Sequence, residues 1–276
     1  MNTAAVAVDI GGTSTRVAVV RGTELLERLE MPTEAQRGPE DFISRLLMLL
    51  QNLNAPQFPV GVACTGRVHS GLVSAVNTAT MPGWVNVSLQ THLSEAMNVP
   101  VAVINDAKAA ALAEYSACNE AGNFMFITVS TGIGSGLVLN GRLHDTPDGR
   151  DVGLGFTHGL NSEFLEYGSS GRGLEKVALS GGYASVAALF DVAEAGESKA
   201  EQHLTPPLTA LAKRIADADK LLGLQTLCVG GSVGLRAFTR AFLKENLAGL
   251  DVKRARFGSN AGLVGAALHV SRLQGE

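Results

Sequence analysis

The sequence predicts an α/β protein with two lobes, and two observations support this class. First, 276 residues with 46% hydrophobic side chains and 32 glycines are enough for two cores with many tight turns between strands and helices. Second, a strand, a turn rich in Gly, Ser and Thr, and another strand follow one another twice, over Val6 to Val20 and over Phe126 to Gly141. One such hairpin early in each half indicates two related lobes.

The turn of the first hairpin is suited to a phosphate group. Gly11 and Gly12 lack the Cβ atoms that would keep a phosphate away from backbone N–H groups. Asp9 ends the preceding strand, where its carboxylate could hold Mg²⁺ through water. Hydroxyl donors follow at Thr13, Ser14 and Thr15. Taken alone, the turn also fits an ordinary connection between two strands.

The second hairpin repeats this turn with Thr131 and Gly132, which favours phosphate binding by both turns. The two hairpins resemble the phosphate-1 and phosphate-2 motifs of the actin-like sugar kinases, and more narrowly those of the ROK family (repressor, open reading frame, kinase). The resemblance implies the actin-like ATPase (ribonuclease H-like) fold, with a nucleotide and sugar cleft between the two lobes.

Composition and charge argue against several other classes of protein. The net charge is −4 and the basic residues are scattered, so nothing favours nucleic acid as a partner. No apolar stretch approaches a membrane span, and the start of the chain lacks the basic region of a signal peptide. The cysteines lie far apart in apolar settings, as buried thiols do, at Cys64, Cys118 and Cys228. We therefore expect a cytoplasmic protein with no nucleic-acid or membrane partner.

In the first lobe, an amphipathic pattern with Pro39 in its first turn predicts a helix over 38–52. Phe58 to Cys64 reads as a short buried strand that ends in a turn containing Gly66. Ligand sites gather at such strand ends in open α/β sheets. A further strand is expected from Gly71 to Val76. Trp84 is expected to pack in the core rather than to contact a ligand.

A buried strand from Val99 ends at Asn105-Asp106, where an Ala-rich helix begins. Two interpretations of Asp106 are open. It could be only the N-cap of the helix. Alternatively, it could be the general base that takes the proton of a substrate hydroxyl during phosphoryl transfer. The hairpins on either side favour the base, and Asn-Asp-Ala before an Ala-rich helix resembles the catalytic segment of the ROK family.

Beyond residue 117 the sequence predicts a larger second lobe. Its predicted elements are helices over 171–179, 183–193, Pro206-Pro207 to about Leu222, 235–245 and 261–270, and a buried strand over 225–229. The last helix is expected to pack back onto the first lobe. The predicted domains are therefore 1–117 and 118–276, with a hinge near 115–123.

The segment from Gly230 to Gly234 matches the G-x-S-x-G pattern of a hydrolase nucleophile and lies between a strand and a helix. An α/β-hydrolase with the triad Ser232, Asp251 and His269 is therefore the rival of another class. His269 falls inside a helical run, and both hairpins would then be unexplained. In a kinase, Gly230, Gly231 and Ser232 would instead border the adenosine at a helix N-terminus.

The ROK resemblance also implies residues that hold the sugar, on an alignment set by the family-like stretch from Ser170 to Leu174. These residues are Gly66, Asn105, His158 and Glu166. For His158, a bond to backbone within its loop is an equally good interpretation. Three residues before this His, members of the family carry an acidic residue, whereas this chain has Gly155. One contact to the sugar is therefore expected to be lost or supplied by another residue.

Members of the family also carry a cysteine cluster after this His, which binds a structural zinc. The cysteines are absent here, so we expect no structural zinc, with His158 free to donate to a sugar hydroxyl. Apolar packing is expected to hold the loop instead, through Phe156, Leu160, Phe164, Leu165 and Tyr167. Arg172 is a candidate partner for an acid in this loop.

Within the family, the chain resembles bacterial kinases that phosphorylate N-acetylmannosamine. The resemblance implies ATP-dependent phosphorylation of the 6-hydroxyl of this sugar in sialic acid breakdown, with Mg²⁺ bound alongside the nucleotide and a homodimer as the assembly. N-acetylglucosamine and glucose remain alternative substrates. A regulator that only binds sugar would need a DNA-binding module before the first hairpin, and only eight residues precede Asp9.

Overall fold

The structure, a computed structural model, describes residues 4–53, 55, 57–76, 78, 81–118 and 122–274. The strands of this part of the chain are β1 (Ala4–Ile10), β2 (Ser14–Arg21), β3 (Glu24–Pro32), β4 (Val60–Cys64), β5 (Arg67–His69), β6 (Leu72–Ser74), β7 (Val101–Asn105), β8 (Phe124–Val129), β9 (Ile133–Leu139), β10 (Arg142–Leu143), β11 (Thr226–Gly230) and β12 (Asp251–Arg254).

The helices are α1 (Pro39–Gln51), α2 (Leu89–Met97), α3 (Asp106–Ala117), α4 (Leu165–Ser169), α5 (Gly171–Ser180), α6 (Val186–Glu194), α7 (Ser198–Leu222), α8 (Ala237–Asn246) and α9 (Ala261–Leu273). Short 3₁₀ turns cover Ala35–Arg37, Leu154–Phe156, Leu160–Ser162 and Gly258–Asn260. Among the described residues, no helix is both long enough and apolar enough to cross a membrane.

The described residues form two units. Unit 1 comprises Met1–Cys118, Asp145–Asp151 and Ser259–Glu276, and unit 2 comprises Asn119–His144 and Val152–Gly258. Segment 145–151 belongs to unit 1 because Lys108 Nζ forms an ion pair with the carboxylate of Asp145 and the N–H of Val68 donates to the Gly149 carbonyl over 2.9 Å. The sequence-based division had put this segment and α9 in the second lobe. Residues 119–121 of the predicted hinge lie outside the described residues.

The sheet of unit 1 has the strand order β3-β2-β1-β4-β7. Strands β1, β4 and β7 run parallel, and their register places Cys64 between Ile10 and Asn105. The carboxyl ends of three strands therefore lie side by side, which is where an open α/β sheet builds ligand sites. Trp84 is fully buried and packs edge-on against Phe42 with ring centroids 5.3 Å apart, which confirms its predicted place in the core.

Unit 2 repeats a mixed sheet, in the order β10-β9-β8-β11-β12. The predicted second hairpin is confirmed as β8 and β9, which pair antiparallel. Strands β11 and β12 add to the sheet in parallel. A core of buried aliphatic residues from the strands and from α4 to α8 covers this sheet.

The largest disagreement with the sequence analysis concerns α7. The prediction that Pro206-Pro207 opens this helix is wrong, because the helix runs unbroken from Ser198 to Leu222 with both prolines inside it. A proline removes one backbone N–H donor and disfavours a helix interior. Here the buried face of α7 offsets that cost, since its side chains lie fully inside the core of unit 2, at Ala200, Leu204, Leu208, Leu211 and Ile215.

Candidate active site

The first phosphate turn lies between β1 and β2, and hydrogen bonds from Thr33, the residue after β3, stabilise it. The N–H of Gly11 donates to the Ser14 carbonyl over 3.1 Å, and the hydroxyl of Thr33 donates to the Gly11 carbonyl over 2.7 Å. The N–H of Thr33 also donates to the Thr13 carbonyl. No atom lies within 4 Å of the position that a Cβ on Gly12 would occupy, so the turn leaves open space for a phosphate. No local sequence pattern pointed to Thr33.

Asp9 lies beside this turn at the end of β1, with its side chain 15% exposed. Burial and the nearby charge of Asp106 raise the pKa of its carboxyl to about 7, against the opposing charges of Arg16 and Arg28. An Arg16 guanidinium nitrogen lies 3.5 Å from a carboxylate oxygen of Asp9. Two partly buried carboxylates in one unit are hard oxygen donors of the kind that Mg²⁺ takes together with phosphate oxygens. The donor set of unit 1 therefore fits Mg²⁺.

Asp106 occupies the first position of α3 and is not its N-cap. The cap is Asn105, whose side-chain oxygen accepts from the N–H groups of Ala107 over 3.0 Å and Lys108 over 3.1 Å. The interpretation of Asp106 as only a cap is therefore wrong. Burial raises the pKa of the Asp106 carboxyl, although one of its oxygens accepts from the N–H of Ala107.

Asn105 and Gly66, both predicted to contact the sugar, are joined to each other. The amide nitrogen of Asn105 donates to the Gly66 carbonyl over 2.9 Å. Gly66 has a φ of +112°, and a Cβ there would lie 2.6 Å from the Ser74 carbonyl oxygen, so only glycine fits. The amide of Asn105 thus connects the end of β7 to the turn after β4, and its side chain also forms a hydrogen bond with the Asp106 carboxyl.

The second phosphate turn lies between β8 and β9 in unit 2. Glu166, the acid predicted to bind sugar, accepts from the N–H of Ile133 over 2.8 Å. A Cβ on Gly132 would lie 2.7 Å from the same carboxylate oxygen. The N–H of Gly171, at the start of α5, donates to the Ser130 carbonyl over 2.6 Å. The Ser-Gly-Arg-Gly stretch therefore packs directly on the turn, while Thr131 is exposed.

His158 is exposed in a short loop that is closed by backbone pairs. The N–H of Gly159 donates to Glu163, and that of Leu165 to Thr157, each over 2.7 Å. The ring Nδ1 of His158 lies 3.0 Å from the Ser162 carbonyl oxygen. A carbonyl oxygen only accepts, so Nδ1 carries the proton and Nε2 of the neutral ring is an acceptor. The sequence analysis expected His158 to donate a hydrogen bond to a sugar hydroxyl. In this geometry Nε2 of the neutral ring would instead accept a hydrogen bond from that hydroxyl.

Three exposed aromatic rings close over this loop. The rings of Phe156 and Phe164 meet edge-on with centroids 5.9 Å apart, and those of Phe164 and Tyr167 with centroids 5.6 Å apart. Leu165 is fully buried beneath them, and the side chain of Leu160 is not among those described. The predicted apolar contacts of the loop are thus present for these four residues.

A zinc site of the family's kind does not fit these residues. The described part of the chain has no cluster of three or more His, Cys, Asp or Glu side chains that could hold a metal. A Cβ on Gly155 would lie 2.8 Å from the Ile133 carbonyl oxygen, so this position cannot carry the family's acid. No step of the chemistry is assigned to zinc.

The segment from Gly230 to Gly234 packs against the end of β8. Gly231 has a φ of +84°, and a Cβ there would lie 2.3 Å from the Val129 carbonyl oxygen. The N–H groups of Val233 and Gly234 donate to that same carbonyl over 2.9 and 3.0 Å. Of the two glycines of the G-x-S-x-G pattern, packing requires Gly234, because a Cβ there would lie 2.1 Å from the Gly230 carbonyl oxygen. Ser232 is exposed at the tip of the turn.

The other members of the rival triad are placed on two different elements. Asp251 begins β12 in unit 2 and pairs with Lys253 over 3.2 Å. His269 lies inside α9 in unit 1, where burial lowers the pKa of its ring. The hydrolase alternative is not favoured.

Comparisons with known proteins cover nearly the whole chain. A sequence profile of the ROK family matches residues 5–272. The chain is 34% identical over 282 residues to an N-acetylmannosamine kinase of Escherichia coli O1:K1 / APEC, with 95% of this chain and 96% of that protein covered. It is 36% identical over 272 residues to the bifunctional enzyme NanE/NanK of Brucella melitensis, of which it spans about half, 52%.

A comparison with a solved structure supports the predicted fold class. The chain superposes on the ROK hexokinase from Thermus thermophilus with a TM-score of 0.82 and 26% identity, covering 99% of this chain and 100% of the other. The predicted fold class is thereby confirmed.

Proposed function

The chain belongs to the ROK family, and we propose that it transfers the γ-phosphate of ATP to the 6-hydroxyl of N-acetylmannosamine in sialic acid breakdown. The names of the relatives that it matches over most of its length support this substrate. N-acetylglucosamine and glucose are the alternatives within the same fold. The homodimer that the family implies stays a prediction.

The observation that supports the proposal most directly is the place of Asp106 in α3 and the burial of its carboxyl. Asn105 is the N-cap of α3, so the N-cap role does not account for a carboxylate at Asp106. Burial raises its pKa and makes it a better acceptor of the proton that a sugar hydroxyl must lose as it attacks phosphorus. In the proposed reaction the hydroxyl oxygen bonds to the γ-phosphorus, the bond to the ADP oxygen breaks, and the hydroxyl proton moves to Asp106.

The phosphate-binding groups are assigned to the two turns. Gly11, Gly12 and Thr13 in unit 1, and Thr131 and Gly132 in unit 2, would offer backbone N–H and hydroxyl donors to phosphate oxygens. Bound Mg²⁺ would neutralise charge on the phosphates, and Asp9 would orient its water ligands. Ser232 and the two glycines before it, Gly230 and Gly231, would border the adenosine.

The sugar is assigned to three polar side chains. Asn105 lies beside both Gly66 and Asp106 and would turn its amide toward the sugar, and His158 offers Nε2 as an acceptor. Glu166 has a second carboxylate oxygen besides the one bound to Ile133. Each of these groups would form a hydrogen bond with a hydroxyl of the sugar ring.

The proposal is tested by ADP formation with N-acetylmannosamine, N-acetylglucosamine and glucose, and by locating the phosphate of the product by NMR. We expect the highest kcat/KM with N-acetylmannosamine, a 6-phosphate product, and no turnover of the 6-deoxy sugar. A preference for another member of the panel would overturn the substrate. An absence of ADP formation with all of them would overturn the kinase activity.

A further inference from the structure

We propose that two glycines of the C-terminal helix α9, Gly262 and Gly265, are positioning residues that fix the carboxylates of Asp9 and Asp106. The catalytic meaning of this proposal rests on the proposed function, whereas its structural part does not. All the groups concerned belong to unit 1.

Gly262 lies in the first turn of α9, directly against the carboxylate of Asp9. A Cβ on Gly262 would be 2.6 Å and 3.0 Å from the two carboxylate oxygens and 2.7 Å from the carbon between them. Real Cβ atoms essentially never approach so closely, so either the carboxylate or the helix would have to move. The Asp9 carboxylate can therefore occupy this position only because residue 262 is a glycine and has no side chain.

The residues just before α9 are tied to the same hairpin as Asp9. An Arg16 guanidinium nitrogen, 3.5 Å from Asp9, also donates to the Ser259 carbonyl over 3.3 Å. Arg28 donates to the side-chain oxygen of Asn260 over 3.0 Å. Asn260 makes no side-chain cap to α9, and the Asp9 carboxyl lies against the first turn of this helix.

One turn further along, α9 meets the helix that carries Asp106. A Cβ on Gly265 would lie 1.8 Å from the carbonyl oxygen of Ala109, three residues after Asp106 in α3. On the other side of α9, a Cβ on Gly61 in β4 would lie 1.9 Å from the Ala266 carbonyl oxygen. The backbone of α9 is therefore held between α3 and the sheet. Both contacts are made by backbone atoms at glycines, so no side-chain movement could relieve a clash there.

These contacts connect the two carboxylates through one rigid element. Gly262 and Gly265 lie three residues apart and so share a face of α9. One of them contacts Asp9 and the other contacts α3. A methyl group on Gly262 would displace Asp9 while the contact at Gly265 still holds α3, so the spacing between Asp9 and Asp106 would change.

A stability cycle tests the structural part through the melting temperature of Gly262→Ala, Asp9→Ala and the double variant, all with chelator present. An alanine normally stabilises a helix relative to glycine. We expect Gly262→Ala to lower Tm by about 3 to 8 °C in the native background, because of overpacking against Asp9. In the Asp9→Ala background, where the obstructing atoms are gone, the same change should raise Tm.

A matched control is Gly168→Ala in α4, where a Cβ would meet nothing within 4 Å. Its activity should equal that of the native protein, and its Tm should be unchanged or slightly higher, because no clash opposes the helix preference of alanine. If Gly262→Ala alone fails to fold, the double variant should restore the folded protein. An equal loss of Tm in both backgrounds, or a double variant that also fails to fold, would contradict the proposal.

The catalytic part is tested by ADP formation as a function of Mg²⁺ concentration. We expect Gly262→Ala to lower kcat by at least about 10-fold and to need more Mg²⁺ for half-maximal activity, with the KM for sugar unchanged. A native Mg²⁺ dependence in Gly262→Ala would contradict the positioning role. If the native protein forms no ADP, the proposed function fails, and the stability cycle still decides the structural part.

Discussion

The carboxylate of Glu166 accepts a hydrogen bond from the backbone N–H of Ile133 over 2.8 Å. The acid assigned to the sugar is thus attached to the turn assigned to the phosphates, within unit 2. The fit is close, because a side chain on Gly132 would collide with the same carboxylate oxygen. In the proposed function one side chain would therefore serve both substrates, directly for the sugar and through the backbone for ATP.

Two substitutions at Glu166 should separate these roles. Glu166→Gln keeps an oxygen that can accept from Ile133 but loses the charge, so we expect a higher KM for sugar and a nearly native KM for ATP. Glu166→Ala also removes the acceptor and leaves a backbone N–H unpaired, which costs about 1–3 kcal/mol. We expect the KM for both substrates to rise in that variant. Equal KM values for ATP in the two variants would show that the Ile133 bond does not support the phosphate turn.

The raised pKa of Asp9 predicts how stability depends on pH without Mg²⁺. In the unfolded chain this carboxyl ionises near 3.8, and in the folded protein near 7. Between these values the folded state holds a proton that the unfolded state has lost, so its contribution to stability is complete below pH 3.8 and is lost as the pH rises through 7. The loss at pH 8 corresponds to roughly 4 kcal/mol as an upper limit.

We therefore expect Asp9→Asn to raise Tm at pH 8 by several degrees and to change it much less at pH 5, measured with chelator present. The control is Asp217→Asn, which alters an exposed acid paired with Arg214 and should show no such pH dependence. If Asp9→Asn has the same effect on Tm at both pH values, Asp9 is not protonated in the folded protein at neutral pH.

The loop that carries His158 and Glu166 should be stable without zinc. Backbone pairs close the loop, and edge-on contacts between aromatic rings cover it. We expect an unchanged Tm in excess chelator, with activity lost only as Mg²⁺ is withdrawn from ATP. Elemental analysis of protein purified without added metal provides the decisive measurement. One tightly held zinc per chain would show that this prediction is wrong.

Ser232 should prove dispensable for the chemistry. Ser232→Ala is expected to weaken ATP binding modestly and to leave phosphoryl transfer intact, because the side chain is exposed at the tip of its turn. The measurement is the KM for ATP, together with treatment of the native protein by a fluorophosphonate probe. Labelling of Ser232, with an ester hydrolysis that the alanine variant lacks, would restore the hydrolase interpretation.

Much of the fold could be predicted because its signals are local. The β-branched runs and the Gly-rich turns gave both hairpins, and the strand before Asn105 was found within two residues of its observed start at Val101. The start of α7 could not be predicted in this way. Tertiary packing of its buried face overrides the helix-breaking preference of Pro206-Pro207, and that packing involves residues far away in the sequence.

The site was predictable in its residue types but not in its connections. The Asn-Asp pair after a strand indicated either a cap or a base, and the structure shows that Asn105 is the cap. The role of Asp106 as the base stays a prediction. The bracing of the first turn by Thr33 depends on the antiparallel register of β2 and β3. The contact of Gly262 with Asp9 joins the two ends of the chain, for which no local pattern exists.

The central claim is that Asp106 is the base of a sugar kinase. Asp106→Asn keeps the size of the side chain, and the helix keeps its cap at Asn105. Because only the basic carboxylate is removed, sugar and nucleotide should still bind with nearly native affinity by calorimetry. Asn105→Ala serves as a comparison, since it removes the cap and the bond to Gly66 and should lower Tm.

The most direct measurement is kcat for ADP formation with N-acetylmannosamine by the native protein and by Asp106→Asn. The account predicts a fall of about 10² to 10⁴ in kcat while both ligands remain bound. Turnover within a few-fold of the native value would contradict it, because Asp106 would then not be the base.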